Sequence, residues 1–190
     1  YIPVEYIVRK LSRKYTQKEI IARIKKLAQL KLLARHPTLN SYSITFLGLD
    51  CVALNSIVNK NIVKAIGDIV GIGKESEVYK GLDLSDNIIA IKFYRIGRQS
   101  FRHIVRSRGY YDNIDRGTWL YRSIIAGRRE REALTILNKY LAPGVPKFYG
   151  GTLHCVVMSY IDGVRLNEVK HLDSPSDVLG RIIDIIKYIY

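Results

Sequence analysis

The stretch "IGDIVGIGKESEVYKG", residues 66–81, sets Gly71 and Gly73 two positions apart and then breaks the expected glycine spacing with Ser76. Two glycines alone mark a turn or bulge before a strand as readily as a loop that holds a phosphate. The residue that separates these readings is Lys92, in "IIAIKFYRI" at 88–96. Apolar residues flank it on both sides, and an unpaired ammonium in such a strand is costly to desolvate. It calls for an anion. Glu130, in "GRREREALTILNKY" at 127–140, is the candidate, and Glu132, two positions on, faces elsewhere. The competing reading is a surface lysine at a strand end.

The surrounding pattern extends the first reading. Strand-like runs at 69–71, 78–82 and 88–94 follow one another, with "SDN" at 85–87 as a turn. An amphipathic helix from Gly127 should bury Ala133, Leu134 and Leu137 and end at "LAPGVP" (141–146). "KFYGGT" (147–152) and "HCVVMSYI" (154–161) then form two more strands around a glycine turn. In protein kinases a glycine-rich loop covers the phosphates, a third-strand lysine binds them, and a helix glutamate holds that lysine.

Residues 1–60 read as a separate module. Ile7, Val8 and Leu11 share a helical face, and Thr16 with Glu19 makes a capping box that starts a second helix. Ile20, Ile24, Leu27 and then Leu30 or Lys31 recur at helical spacing, leaving Lys18, Arg23 and Lys25 toward solvent. A hairpin around Pro37 and Asn40 follows, and then a helix in "FLGLDCVALNSIV" (46–58) with Leu47, Leu49, Val52 or Leu54 inward. That order suggests a winged helix-turn-helix domain, whose second helix and wing can address nucleic acid or protein. The expected class is therefore α+β: a winged helix at 1–60, then at 61–190 a kinase-like amino-terminal lobe of antiparallel sheet plus one helix, and the start of a helical carboxyl-terminal lobe.

Charge points the same way. The 190 residues carry a net charge of +14. Residues 1–35 hold ten Lys/Arg against two Asp/Glu, and residues 92–131 eleven against three, on an otherwise nearly neutral chain. Clustered cations bind polyanions by releasing condensed counterions, although a solvated basic face has the same composition. Cys51 and Cys155 lack metal-ligand spacing and read as buried free thiols of a reducing compartment. No apolar run approaches the roughly 20 residues of a bilayer crossing, and no signal peptide is visible in a chain that begins at Tyr1. A cytoplasmic protein without membrane contact is expected.

"GIGKESEVY", "AIKFYRIGRQSFR", "WLYRSIIAGRREREAL", "VPKFYG" and "VVMSYIDGVRL" occur in this order and resemble the RIO family of atypical protein kinases; the preceding module points to its second subfamily. The resemblance covers essentially the whole chain. It implies an ATP-dependent serine/threonine kinase or ATPase that uses Mg2+ and acts in small ribosomal subunit maturation, with ribosomal RNA facing the basic segments. It further implies a phosphate-covering loop of Gly71, Ile72, Gly73, Lys74, Glu75 and Ser76, with Val78 beside the nucleotide. Lys92 would orient phosphates and Glu130 would fix Lys92. Met158 would stand at the hinge entrance, and the backbone of Ser159 and Ile161 would meet the adenine edge. Ser100, in "RQSF", matches the position for autophosphorylation, with Ser107 and Thr118 competing.

A kinase also needs a catalytic aspartate, an asparagine five positions later and a second aspartate for magnesium, all after the hinge. The 190 residues show neither. "DLSDN" at 83–87 precedes Lys92 and reads as a strand turn. Asp162-Gly163 reads as a bend, with Asp162 near ribose. In "SPSDVLGRIIDIIKYIY" (174–190), Ser174 and Asp177 suggest a capping box, and Ile182, Ile185, Ile186 and Ile189 form a stripe that needs a partner. The metal ligands and the catalytic aspartate are expected outside this stretch, so it should not catalyse alone. The alternative is a nucleic-acid-binding winged-helix regulator with a nucleotide-sensing, noncatalytic domain.

Overall fold

The computed structural model describes residues 1–97 and 119–190. Two compact units divide it, Tyr1–Ser56 and Ile57–Tyr190. The first unit runs β1 (Ile2–Pro3), α1 (Val4–Leu11), α2 (Gln17–Gln29), β2 (Leu33–Arg35), β3 (Ser41–Ile44) and α3 (Phe46–Asn59), which crosses the boundary. The strands form an antiparallel sheet in the order β1-β3-β2. The expected capping box is present: Glu19 N–H donates to Thr16 Oγ1, and Thr16 N–H donates to Glu19 Oε2 at 2.8 Å. Val4, Ile20 and Ile24 are the buried centre, with Ile7 and Val8 packed against them.

Several expectations of inward residues in this unit are corrected. On α3 Leu49 is buried as expected, with Gly48, Ala53 and Ile57, whereas Leu47 and Val52 are exposed. Gly48 explains the rotation, since a Cβ there would lie 2.2 Å from the Leu32 carbonyl oxygen, so this edge of α3 faces β2. Leu27 and Leu30 are also exposed on α2. Cys51 is exposed rather than buried, while Cys155 is buried as expected; both thiols are free.

The second unit is a five-stranded antiparallel sheet with a long helix. It comprises β4 (Ala65–Ile72), β5 (Ser76–Leu82), β6 (Ile88–Tyr94), α4 (Trp119–Lys139), β7 (Phe148–Thr152), β8 (Cys155–Ser159) and α5 (Pro175–Ile189), in the sheet order β4-β5-β6-β8-β7. Strand β4 begins earlier than the run at 69–71, and its register against β5 slips at two places between Ile66 and Gly71. The central strand β6 holds Ile89, Ile91 and Phe93 in the core beside Val156 and Val157 of β8. Leu134 of α4 is buried as expected, but Ala133 is exposed, because Ser123, Ile125 and Gly127 set the buried face. Asn138 ends the helix against the sheet, accepting from Phe148 N–H at 2.8 Å and donating to the Pro146 carbonyl at 3.1 Å.

At α5 the capping box is not formed. Ser174 makes no side-chain cap bond, and Pro175 opens the helix instead, where its missing N–H costs nothing. Of the isoleucine stripe only Ile185 is half-buried, beside Gly144, which has φ +72°; Ile182, Ile186 and Ile189 are exposed. "DLSDN" is a turn as expected: Asp83 Oδ1 accepts from the amides of Ser85 and Asn87, and Asp86 takes φ +63°. Among the described residues no helix is long and apolar enough to cross a membrane.

Candidate nucleotide site

Register builds the site. Val78 of β5, Lys92 of β6 and Val156 of β8 lie opposite one another in one row, and Lys80, Ala90 and Met158 form the next. Residues directly opposite on neighbouring strands share a face. Lys92 Nζ reaches Glu130 Oε1 on α4 at 2.7 Å, with the two side chains 21% and 22% exposed. That pairing supplies the anion that the apolar strand demands. Glu132 instead faces solvent, 3.7 Å from Arg128. Lys92 Nζ also lies 4.8 Å from the Tyr94 ring centroid. Glu130 Oε2 is buried and accepts no hydrogen bond among the described residues.

The glycine stretch joins β4 to β5. Gly71 pairs with Val78 and Ile72 with Glu77, and Gly73 N–H donates to the Ser76 carbonyl at 2.8 Å. Ile72, Gly73 and Lys74 are exposed; Gly71, Glu75, Ser76 and Val78 are half-buried. Neither Gly71 nor Gly73 has a positive φ. A Cβ on Gly73 would meet its nearest atom, Ser76 Oγ, at 3.4 Å, and one on Gly71 would meet Arg165 Nη2 at 3.7 Å. The fold would accept side chains at both. Gly81 and Gly127 differ: a Cβ on Gly81 would stand 2.5 Å from Ile91 Cδ1, and one on Gly127 2.8 Å from His154 Cα. Bare backbone at 71 and 73 leaves room for close approach by a ligand, and Ser76 Oγ lies beside it.

Met158 is half-buried at the end of β8, opposite Ala90 and Phe148. Ser159 spends its amide on the Lys147 carbonyl at 2.8 Å, and its hydroxyl accepts from Lys147 N–H at 3.0 Å. Ile161 is 67% exposed in the segment that follows. Lys92 and Glu130 are thus brought together from β6 and α4, while residues 71–76 lie at the β4–β5 junction and Met158 and Ser159 at the end of β8. Ser100, Ser107 and Thr118 lie outside the described residues.

Several polar side chains around the site carried no assignment from the sequence. Arg165 sets its guanidinium near Gly71, and Glu77, Arg95 and His154 are buried together. The signal available for Glu77 and Arg95 was a charge at the inward beat of an alternating strand pattern. Arg131, one position past Glu130, donates to the carbonyls of Leu153 at 2.6 Å and Cys155 at 3.3 Å. Burial pulls its guanidinium below the usual range. A hollow of about 580 Å³ lies against α4 and β7, lined by Arg128, Arg131, Ile136 and Phe148 among others.

The donors and open backbone fit a phosphate-bearing ligand: an ammonium with hydrogens beyond the one given to Glu130, glycine backbone, and a serine hydroxyl. They do not fit a metal. Among the described residues no group of three or more His, Cys, Asp or Glu side chains comes together.

The chain is similar to known proteins in sequence and in fold. The RIO domain matches residues 77–190. The serine/threonine-protein kinase RIO2 of Caenorhabditis elegans is 35% identical over 152 residues, covering 80% of this chain and 28% of that protein. The RIO-type serine/threonine-protein kinase Rio2 of Methanocaldococcus jannaschii is 33% identical, with 100% of this chain and 70% of that protein covered. The crystal structure of the Rio2 kinase–ADP/Mg2+–phosphoaspartate complex from Chaetomium thermophilum superposes with a TM-score of 0.75 at 29% identity, over 91% of this chain and 51% of that one. The fold is thus the α+β kinase-like fold of Rio2 structures, and the chain spans 28% to 70% of the curated relatives named here.

Proposed function

The chain belongs to the RIO family of atypical protein kinases, and from that premise we propose that it forms the nucleotide-holding part of an ATP-dependent serine/threonine kinase or ATPase of the second RIO subfamily. The observation that carries the proposal is the 2.7 Å Lys92–Glu130 pair beside glycine backbone left bare without structural need. Glu130 holds the ammonium in place, and Lys92 presents its other hydrogens to phosphate oxygens. The loop backbone from Gly71 to Glu75 and the Ser76 hydroxyl cover the phosphates from the opposite side. Val78 and Met158 line the base, where the Ser159 carbonyl and the Ile161 amide meet its edge. Asp162 follows at the ribose. The Ser159 amide is already engaged, which leaves its carbonyl for the base.

The chemistry a bound magnesium would supply is neutralisation of charge on the phosphate oxygens. The described residues offer no ligand set for it, so the metal ligands and the transferring aspartate are assigned to other parts of the whole protein. The ADP/Mg2+ complex of the Chaetomium relative supports nucleotide and metal for that whole protein. By the same resemblance Ser100 is the proposed autophosphorylation site, residues 1–60 a winged helix, and the setting maturation of the small ribosomal subunit in the cytoplasm. The exposed cations Lys18, Arg23, Lys25 and Lys26 on α2 favour ribosomal RNA as its contact.

The test is titration of the full-length protein with Mg2+ and labelled ATP, beside Lys92→Ala. Binding and label transfer that both fall with Lys92→Ala are expected, with label at Ser100. Nucleotide affinity unchanged by Lys92→Ala would overturn the site. Binding without transfer or hydrolysis would favour a nucleic-acid-binding regulator that senses nucleotide.

A further inference from the structure

By strand alternation, Glu77 and Phe93, which are opposite each other in register, point to the face of the sheet away from Lys92. There Arg95 Nε donates to Glu77 Oε2 at 3.0 Å, and Arg95 Nη1 lies 3.2 Å from His154 Nε2. A guanidinium has no acceptor, so His154 Nε2 accepts. Glu77, Arg95 and His154 are 6%, 8% and 0% exposed. Tyr79 Oη donates to the same Glu77 oxygen at 3.2 Å, and the Phe93 ring lies under the Arg95 guanidinium at 5.6 Å.

What the cluster touches is more informative than its burial. Arg95 N–H donates to the Glu75 carbonyl at 2.6 Å, which pins the second half of the glycine-rich loop to the end of the lysine strand. Tyr94 N–H donates to the His154 carbonyl at 3.0 Å, which ties that strand end to the β7–β8 turn. The turn in turn is held by α4: Gly127 passes so close that a Cβ would stand 2.8 Å from His154 Cα, and Arg131 donates to the carbonyls of Leu153 and Cys155. Gly127 and Arg131 bracket Glu130 on the same helix.

A buried ion pair is often replaceable by apolar residues of similar size without loss of stability, so two nearly sealed charges suggest a geometric task. The planar fork of arginine can bond in two fixed directions at once, whereas a lysine ammonium cannot span the same pair. We propose that Glu77, Arg95 and His154 are positioning residues that set the glycine-rich loop relative to Lys92 and couple it, through the β7–β8 turn, to the helix that carries Glu130. This deepens the nucleotide-binding reading and rests on it for its consequence, but the loop geometry it explains exists without ligand.

The experiment uses the full-length protein carrying Glu77→Leu with Arg95→Met, which removes both charges of the pair together. Hydrogen exchange without nucleotide is followed in peptides covering 71–77, 88–91 and 156–159, and Mg-ADP affinity is measured in parallel. Exchange at 71–77 should rise tenfold or more with the two core peptides unchanged, and ADP affinity should fall about tenfold. Arg95→Lys should reproduce part of both changes. Unchanged exchange at 71–77 in a folded variant overturns the proposal, as does a uniform rise in all three peptides, which is the mark of a merely structural role. If the double variant does not fold, the same criteria applied to Arg95→Lys decide. Should the wild-type protein fail to bind ADP, the nucleotide reading falls, while the exchange result still decides the positioning.

Discussion

Lys92 Nζ and Glu130 Oε1, 38 residues apart in sequence, are 2.7 Å apart across β6 and α4, each about four-fifths buried. A charge-assisted bond of this kind contributes about 1.5–3 kcal/mol, and removal of one partner leaves the other charge poorly solvated. Lys92→Met should therefore weaken ADP binding tenfold to about a hundredfold, at roughly 1.4 kcal/mol per decade. Glu130→Gln should weaken it less, because the ammonium remains. A double-mutant cycle read by calorimetric ADP titration checks this; additive effects would mean that the two residues act separately.

The glycines divide into two kinds that a single scan can separate. Gly73→Ala should leave the melting temperature near its wild-type value, since the new Cβ meets nothing closer than 3.4 Å. It should nevertheless reduce nucleotide affinity several-fold, because the methyl occupies the approach to the loop backbone. Gly127→Ala should do the reverse in emphasis, destabilising by about 1–3 kcal/mol as α4 is pushed off the β7–β8 turn. Thermal denaturation beside ADP titration resolves the two, and equal loss of stability in both would refute the distinction.

What the sequence made legible was periodic or locally bonded. The Thr16–Glu19 capping box, the β5–β6 turn at Asp83 and the lysine within "AIKFY" each declare themselves within a few residues. Residues whose role depends on distant chain did not. Leu47 and Val52 look like core in an apolar helix, yet the close fit of Gly48 on Leu32 turns them outward. Ala133 fits the amphipathic spacing of a helix read from Gly127, but α4 starts at Trp119 and its buried face is set by Ser123, Ile125 and Gly127. The Glu77–Arg95–His154 cluster joins β5, the end of β6 and the β7–β8 turn, and no local pattern brings those three residues together.

The cap on α2 predicts a pH dependence. The Thr16 backbone amide, and then its hydroxyl, hold the Glu19 carboxyl below its ordinary value. A carboxylate whose pKa is lower in the folded state adds stability that is fully present above the unfolded value of about 4.3 and is lost as pH falls through the folded one. The amino terminus of α2 should fray on acidification below that value while remaining intact from pH 5 to 8. Amide chemical shifts of Thr16 and Glu19 followed from pH 6 to 2 report it directly. Glu19→Gln should flatten the dependence, and an unchanged profile in that variant would place the titration elsewhere.

Asp83 supplies a control against the kinase reading, because "DLSDN" superficially resembles a catalytic segment. Its carboxylate accepts from Ser85 N–H at 2.8 Å, from Asn87 N–H at 2.9 Å and from Asn87 Nδ2 at 3.0 Å. Those bonds, the Asn87 side chain first, hold its pKa below the ordinary aspartate value. Its contribution is thus a turn that stabilises the β5–β6 hairpin above the ordinary aspartate range and weakens as pH falls through the lowered pKa. Asp83→Ala should lower the melting temperature by a few degrees at neutral pH, and by less in acid where the wild-type carboxyl is already protonated. Nucleotide affinity should stay as in the wild type, since the turn lies at the far end of β5 from Ser76. Loss of ADP binding in a folded Asp83→Ala protein would show that this aspartate acts on the ligand and that the turn has been misread.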